Sequence, residues 1–329
     1  MKNKDLNIAG LCIGKFGDWA WFKQVLSLRG WRGEGAQKKC CWMCGAGFNH
    51  QANCYDVSPW ASWRSSLVNQ GSFLADIMMG TQRYTSGIWQ IPGFVIQFIR
   101  PDFMHVADLG VSLTCLGNVL WHCFRQLGGS FNSPKLACSA LFNMIKVAAR
   151  QMHVELPIMD LTVGMFRAEA KKKAKARLKA AECRHLIPIV LLMFQTHFKN
   201  DEHSNLIYLC LGALNDCYLE LQNWDDGVSS AKLATFGRRH VMLFGELSRV
   251  SDSDRLWCLQ PKHHIFVHLC EDSDINPRLE WNYADEDAIG IAASQSSHVN
   301  IPYFSTAWIK RHRLTFRFDP AQGRWHSSR

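Results

Sequence analysis

The sequence contains no long apolar run. Its most apolar stretch, residues 186–194, falls well short of the ~20 residues that a membrane-spanning helix needs, and it reads instead as part of a buried helix. Near the start, Gly10, Gly14, Lys15 and Asp18 interrupt the apolar residues, so no signal peptide is expected. A Gly-rich phosphate loop followed by Lys-Ser/Thr is missing, as is a Gly-x-Ser-x-Gly elbow, which removes the main support for P-loop nucleotide hydrolysis and for serine esterase chemistry. No internal repeat, low-complexity tract or long Pro/Ser linker breaks the chain into evident domains. Acidic residues are the minority charge: 28 Asp+Glu stand against 37 Lys+Arg, and the formal +9 favours polyanionic partners over basic ones.

The chain of 329 residues, 47% hydrophobic and 20% charged, is long enough to bury a substantial core. The 13 cysteines are odd in number and spread through helical-looking segments, which reads as reduced thiols in an intracellular protein. Residues 6–13 suggest a short buried strand and 14–17 a turn, with a helical stretch starting at Asp18. Apolar residues recur at three and four spacing over 109–127, 136–152, 205–221 and 230–247, so the body is expected to be mainly α. The tail alternates loosely around 314–318 and reads as one edge strand or a frayed basic end.

Five constellations carry chemistry. Cys41-x-x-Cys44, followed by His50 and Cys54, offers soft thiolates and an imidazole for a structural zinc, with Gly45-Ala-Gly47 allowing a tight turn; the alternative is unligated thiols packed beside Trp42 and Phe48. Asp102-x-x-His105 follows a proline, and Asp102 is placed to cap the next helix with His105 beside its carboxylate. His264 and His268 share one helical face, as metal-binding pairs do, but Ile265 occupies the position where a zinc protease carries Glu, so a core helix with hydrogen-bonded histidines is the default expectation. Asp285, Glu286 and Asp287 form an acidic cluster suited either to a hard cation or to a helix N-terminus. Lys171, Lys172, Lys173, Lys175, Arg177 and Lys179 form an alanine-rich run with high helix propensity, able to neutralise several phosphates or simply to remain solvated.

Taken in order, Gly17-Asp18, Cys41-x-x-Cys44, Asp102-x-x-His105 leading into Leu109-Gly110, Pro261-Lys262-x-His264-x-x-x-His268, and the acidic stretch at Glu286 resemble the catalytic region of DDE/D cut-and-paste transposases, particularly CACTA-type and related groups. The resemblance implies an RNase H-like fold in which three acids hold paired Mg²⁺ ions for attack on a DNA phosphodiester. On that basis Asp18 is the second acid, Glu286 the third with Asp285 as its neighbouring candidate, and Asp102 with His105 the signature pair between them. Only 17 residues precede Asp18, so the strand bearing the first acid is expected to be missing, with Mg²⁺ held only if the acidic site is complete.

The resulting expectation is a mainly α chain with a small, incomplete RNase H-like α/β portion. It divides into a remnant strand and helix over 1–30, a Cys-rich zinc insertion over 31–60, a helical insertion over 61–270, an acidic core helix over 271–300 and a basic tail over 301–329. The function implied is that of a transposase-derived DNA-binding protein, inactive as this chain and with the nucleus as its candidate compartment. The alternative is a helical interaction or chromatin-associated scaffold.

Overall fold

A computed structural model describes residues 15–17, 22, 26, 28, 39–48, 52–79, 89, 93–131, 133–166, 173–251, 255–280, 283, 316–319 and 324–327. The chain divides into two compact units, Met1–Trp281 and Asn282–Arg329. Among the described residues of the second unit, Phe316–Asp319 and Arg324–Ser327 pair as an antiparallel hairpin, so the alternating tail pattern becomes two strands.

The first unit is mainly helical. Its strands are short: β1 (Lys15–Gly17) lies parallel to β2 (Ile99–Pro101), with Gly17 opposite Pro101. The turn expected over 14–17 is thus a strand from Lys15, because pairing with β2 overrides the weak local preference of a Gly-flanked segment. The strand expected over 6–13 lies outside the described residues.

Helix α1 (Gln70–Met78) precedes β2. After β2 the chain enters a π-helical segment, Met104–Ser112, which runs directly into α2 (Leu113–Gly128). Then follow α3 (Pro134–Gln151), the short α4 (Val163–Phe166), α5 (Ala180–His197), α6 (Glu202–Gln222), α7 (Ser229–Val250) and α8 (Pro261–Glu271). Their starts are chemically marked: Ser133 and Asp201 cap α3 and α6 through side-chain oxygens, and prolines occupy the first turns of α3 and α8.

One core joins helices α2 to α8, containing Leu116, Leu141, Val190, Leu211, Phe244 and Phe266. Cys40, Cys41, Cys44 and Cys54 belong to the same core, so the Cys-rich segment is built into the helical body. A smaller apolar cluster gathers Phe22, Leu26, Trp42, Phe73 and Ile99 around the β-pair.

The π-helical segment is packed by α5 on one side and α8 on another. The wider turn leaves the His105 carbonyl able to accept a hydrogen bond from Lys262 Nζ at 2.6 Å. Gly110 makes room for that lysine, since a Cβ there would sit 2.6 Å from Lys262 Cδ. Asp108, fully buried on the same segment, accepts a hydrogen bond from the Tyr218 hydroxyl and faces Arg184 at 3.7 Å.

The lysine run departs from its expected helix. Lys173–Lys179 has no regular secondary structure, and its backbone is held from several directions: Ala174 N–H donates to Arg255 O, Lys175 to Phe166 O, Ala176 to Leu113 O and Arg177 to Met165 O. Tertiary carbonyls thus replace the intrahelical partners that alanine and lysine would otherwise favour. Ala174 and Ala176 are buried against α2, while Lys173, Lys175, Arg177 and Lys179 are exposed, Lys175 with enough protein around its ammonium that desolvation lowers its pKa.

Candidate metal centre

Two sequence-distant pairs of donors converge beneath the Cys-rich segment. Cys41 and Cys44 lie on a tight turn closed by Cys40 N–H donating to Ala46 O at 3.0 Å. The turn is fastened to the 3-10 helix Ser62–Ser66, because Gly45 N–H donates to both Ser66 O and Ser66 Oγ. Gly45 is needed for this approach: a Cβ there would fall 2.8 Å from Ser66 Oγ.

Helix α8 supplies the other pair. Residues four apart share a helical face, so His264 and His268 point the same way, with ring centroids 4.8 Å apart. Their Nε2 atoms approach Cys44 Sγ at 3.3 and 3.4 Å. The donor atoms of Cys41, Cys44, His264 and His268 all lie within 4.8 Å of one another, and all four residues are buried. This cluster could hold a metal ion.

The surroundings fit that use. Backbone N–H groups of Met43 and Ala46 point at Cys41 Sγ and Cys44 Sγ at 3.3 and 3.4 Å, which stabilises sulfur carrying negative charge. Trp63 packs edge-on against His264 and tilted against His268, at centroid distances of 4.5 and 5.0 Å, covering the imidazoles with indole. Asp272 Oδ2 lies 3.3 Å from His268 Nδ1, a contact that fixes which nitrogen faces the sulfurs. Arg64, stacked over Trp63, pairs with Glu271 at 2.6 Å and so joins the 3-10 helix to α8 beside the cluster.

The protonation pattern follows from those contacts. The Cys41 thiol, hydrogen-bonded to Cys44, holds Cys44 down to about 3 against the opposing effect of burial, with both imidazoles assisting. Burial pushes the Cys41 thiol well up. Burial lowers His264. At His268 burial also disfavours charge, yet Asp272 and Cys44 outweigh it and raise the imidazole to about 9. These contacts favour charge on Cys44 and His268 and disfavour it on Cys41 and His264. A metal bound by all four must displace the protons of Cys41 and His268. Metal uptake at pH 7 is expected to release protons, measured by calorimetry in buffers of different ionisation enthalpy.

The expected ligand set thus changes in its second half. Cys41 and Cys44 stand in the cluster, but the partners are His264 and His268 from α8. Cys54 instead lies against Cys40: the hydrogen bond between these two lowers Cys54 and raises Cys40. His50 lies outside the described residues. A search for ligands confined to one segment could not find a pair that folding brings from 220 residues away.

A second buried trio, Cys115, Cys210 and His240, also lies within 4.8 Å. There His240 Nδ1 is engaged by the Cys210 carbonyl at 2.9 Å, and among the described residues no fourth donor completes the set.

The other predicted positions divide between described and undescribed residues. Asp102 is buried and caps the helix that follows it, accepting from Met104 N–H at 3.3 Å, His105 N–H at 3.1 Å and the His105 ring. The Lys262 bond to the His105 carbonyl brings the Asp102-x-x-His105 and Pro261-Lys262 motifs into direct contact. Asp18 follows β1 in sequence as Asp102 follows β2, but Asp18, Asp285, Glu286, Lys171 and Lys172 lie outside the described residues. No described helix is long and apolar enough to cross a membrane. In comparisons with protein-family models, curated proteins and solved structures, nothing matches this chain.

Proposed function

We propose that this chain is a zinc-stapled, mainly helical nucleic-acid-binding protein derived from an RNase H-like transposase catalytic region, without strand-cleaving activity of its own. Zinc is the ion that suits the buried cluster: two thiolates neutralise its charge, and a closed set of two sulfur and two nitrogen donors matches its tetrahedral preference. With four protein donors in place, no position is left for a substrate-activating water, so the centre is structural and metal-dependent hydrolysis on His264 and His268 is not part of the reading.

The transposase derivation draws support from the parallel pairing of β1 with β2, after which Asp18 and Asp102 follow in sequence, and from the meeting of the 102–105 and 261–262 motifs. Asp102 is committed to its helix cap and to His105, which supports an inert reading of this region. Mg²⁺-dependent nicking of DNA by the purified chain, abolished by Asp18→Asn, would overturn that part.

The observation that carries nucleic-acid binding is the row Lys173, Lys175, Arg177 and Lys179, exposed between the buried Ala174 and Ala176 and the half-buried Leu178. Neutralising all four with alanine removes four counterion-releasing contacts. The slope of log K against log salt for DNA should become shallower by about 3 to 4, at roughly 0.7–0.9 per contact. An unchanged slope would show that the row does not meet the backbone, and an absence of any DNA affinity would favour the interaction-scaffold alternative.

A further inference from the structure

The cationic row does not end on a featureless surface. Asn118 of α2 reaches beneath its start, with Nδ2 3.5 Å from Ala174 O, while its Oδ1 accepts from Trp257 N–H at 2.8 Å. Both Asn118 and Trp257 also line a cleft of about 1170 Å³ between α2, α6 and the end of α7. Trp257 is held there at a positive φ of 51°, a conformation that its bond to Asn118 helps to fix.

The cleft is furnished for a flat, polar, aromatic group. Trp121 is half-buried and stacked on Phe124 at 5.5 Å, which holds its indole in place; Gln126 and His122, joined through Nε2 atoms 3.0 Å apart, and His203 are the polar groups beside it, with the Gln126 amide oxygen left to meet the edge of a heteroaromatic ring. Two of its three acids are already engaged: Asp201 caps α6 through Ser204 N–H at 2.6 Å, and Glu246 pairs with Arg249 at 2.6 and 2.9 Å. Glu202, the third, lies in the first turn of α6; of the two lining arginines Arg249 is held by Glu246, which leaves Arg125 as the cation offered to a ligand.

We propose that the row and the cleft form one binding site for single-stranded nucleic acid, the sugar-phosphate backbone running along Lys173, Lys175, Arg177 and Lys179 and a base entering the cleft beside Trp121. Exposure alternates along 173–179, which sets the four cations on one side; side chains two apart in a chain are at most about 6.6 Å apart, so the row spans up to about 20 Å. A flexible single strand can lay successive phosphates along such a row and turn its bases to one side. A duplex keeps its bases stacked inside and has none to place in the cleft. Cations along the backbone combined with an aromatic platform for bases is the arrangement by which single strands are held. This inference rests on the nucleic-acid reading above and adds to it the strand form and the base pocket.

The test compares three labelled probes at one salt concentration: a single-stranded DNA of about a dozen nucleotides, its duplex, and an inorganic polyphosphate of matched charge. The single strand is expected to bind the intact chain at least about tenfold more tightly than either of the others. Trp121→Ala should weaken single-strand binding about tenfold with the salt slope unchanged, whereas the Lys173, Lys175, Arg177 and Lys179 quadruple alanine variant should flatten the slope. Gln126→Ala, an exposed substitution, repeats the pocket test without touching the core. Equal affinity for duplex, or polyphosphate binding as tight as DNA, overturns the single-strand site while leaving the nucleic-acid reading standing. Failure to bind any of the three removes both.

Discussion

Cys44→Ser is expected to abolish stoichiometric zinc binding and to destabilise the first unit by about 4 kcal/mol or more, in the class of losses that follow removal of a metal or a buried network. Cys44 is the sulfur that both imidazoles face, at 3.3 and 3.4 Å, so its loss removes the donor common to both halves of the cluster. Structural zinc contributes about 10–16 kcal/mol of apparent binding energy in small fingers, of which the fraction coupled to folding here is the part that ties residues 41–44 to α8. At roughly 2 °C per kcal/mol for a chain of this size, the melting temperature should fall by about 8 °C. Chelation of the wild-type chain should give a similar fall, reversed by added zinc, and chelation of the variant should change little. A wild-type melting temperature indifferent to chelator would show that the cluster holds no ion that matters to the fold.

The second large effect concerns Gly117. A Cβ at this position of α2 would lie 2.5 Å from Lys175 Cα and 2.6 Å from the Ala176 nitrogen, both backbone atoms of the cationic segment. Backbone pinned by four hydrogen bonds cannot step aside as a side chain can. Gly117→Val is therefore expected to cost about 3 kcal/mol, at the upper end for overpacking, even though β-carbon substitution improves helix propensity. The damage should be coupled: as 174–176 lifts from α2, the row of cations loses its register and DNA affinity falls together with stability. Gly212→Ala supplies the control, since no atom lies within 4 Å of a Cβ at that α6 position. Denaturant melts and DNA titrations on the two variants separate these outcomes.

The helical body was legible because α2, α3, α6 and α7 each carry sustained three-and-four apolar spacing, and a capping oxygen or first-turn proline marks several starts. β1 was not legible: Lys15-Phe-Gly17 has no strand pattern of its own and owes its conformation to Ile99–Pro101. The lysine run misled through its composition, since alanine and lysine favour helix, yet its strict alternation from Lys173 to Lys179 is a period of two that matches the burial pattern. At the candidate metal centre, each half was visible alone: Cys41-x-x-Cys44 as a thiolate pair, His264 and His268 as one helical face. Nothing local told one half of the other, because the contact is created by packing α8 under the Cys-rich turn.

The separation of those halves also governs the order of events as the chain is made. With 220 residues between Cys44 and His264, and synthesis at about 5–20 residues per second, the thiols emerge roughly 10–45 s before the imidazoles that complete their set. During that interval the newborn sulfurs face the solvent, open to oxidation or to capture by a competing soft ion. Closing the centre is thus among the last steps in building the first unit, and a ribosome that stalls before α8 leaves a product unable to seal it.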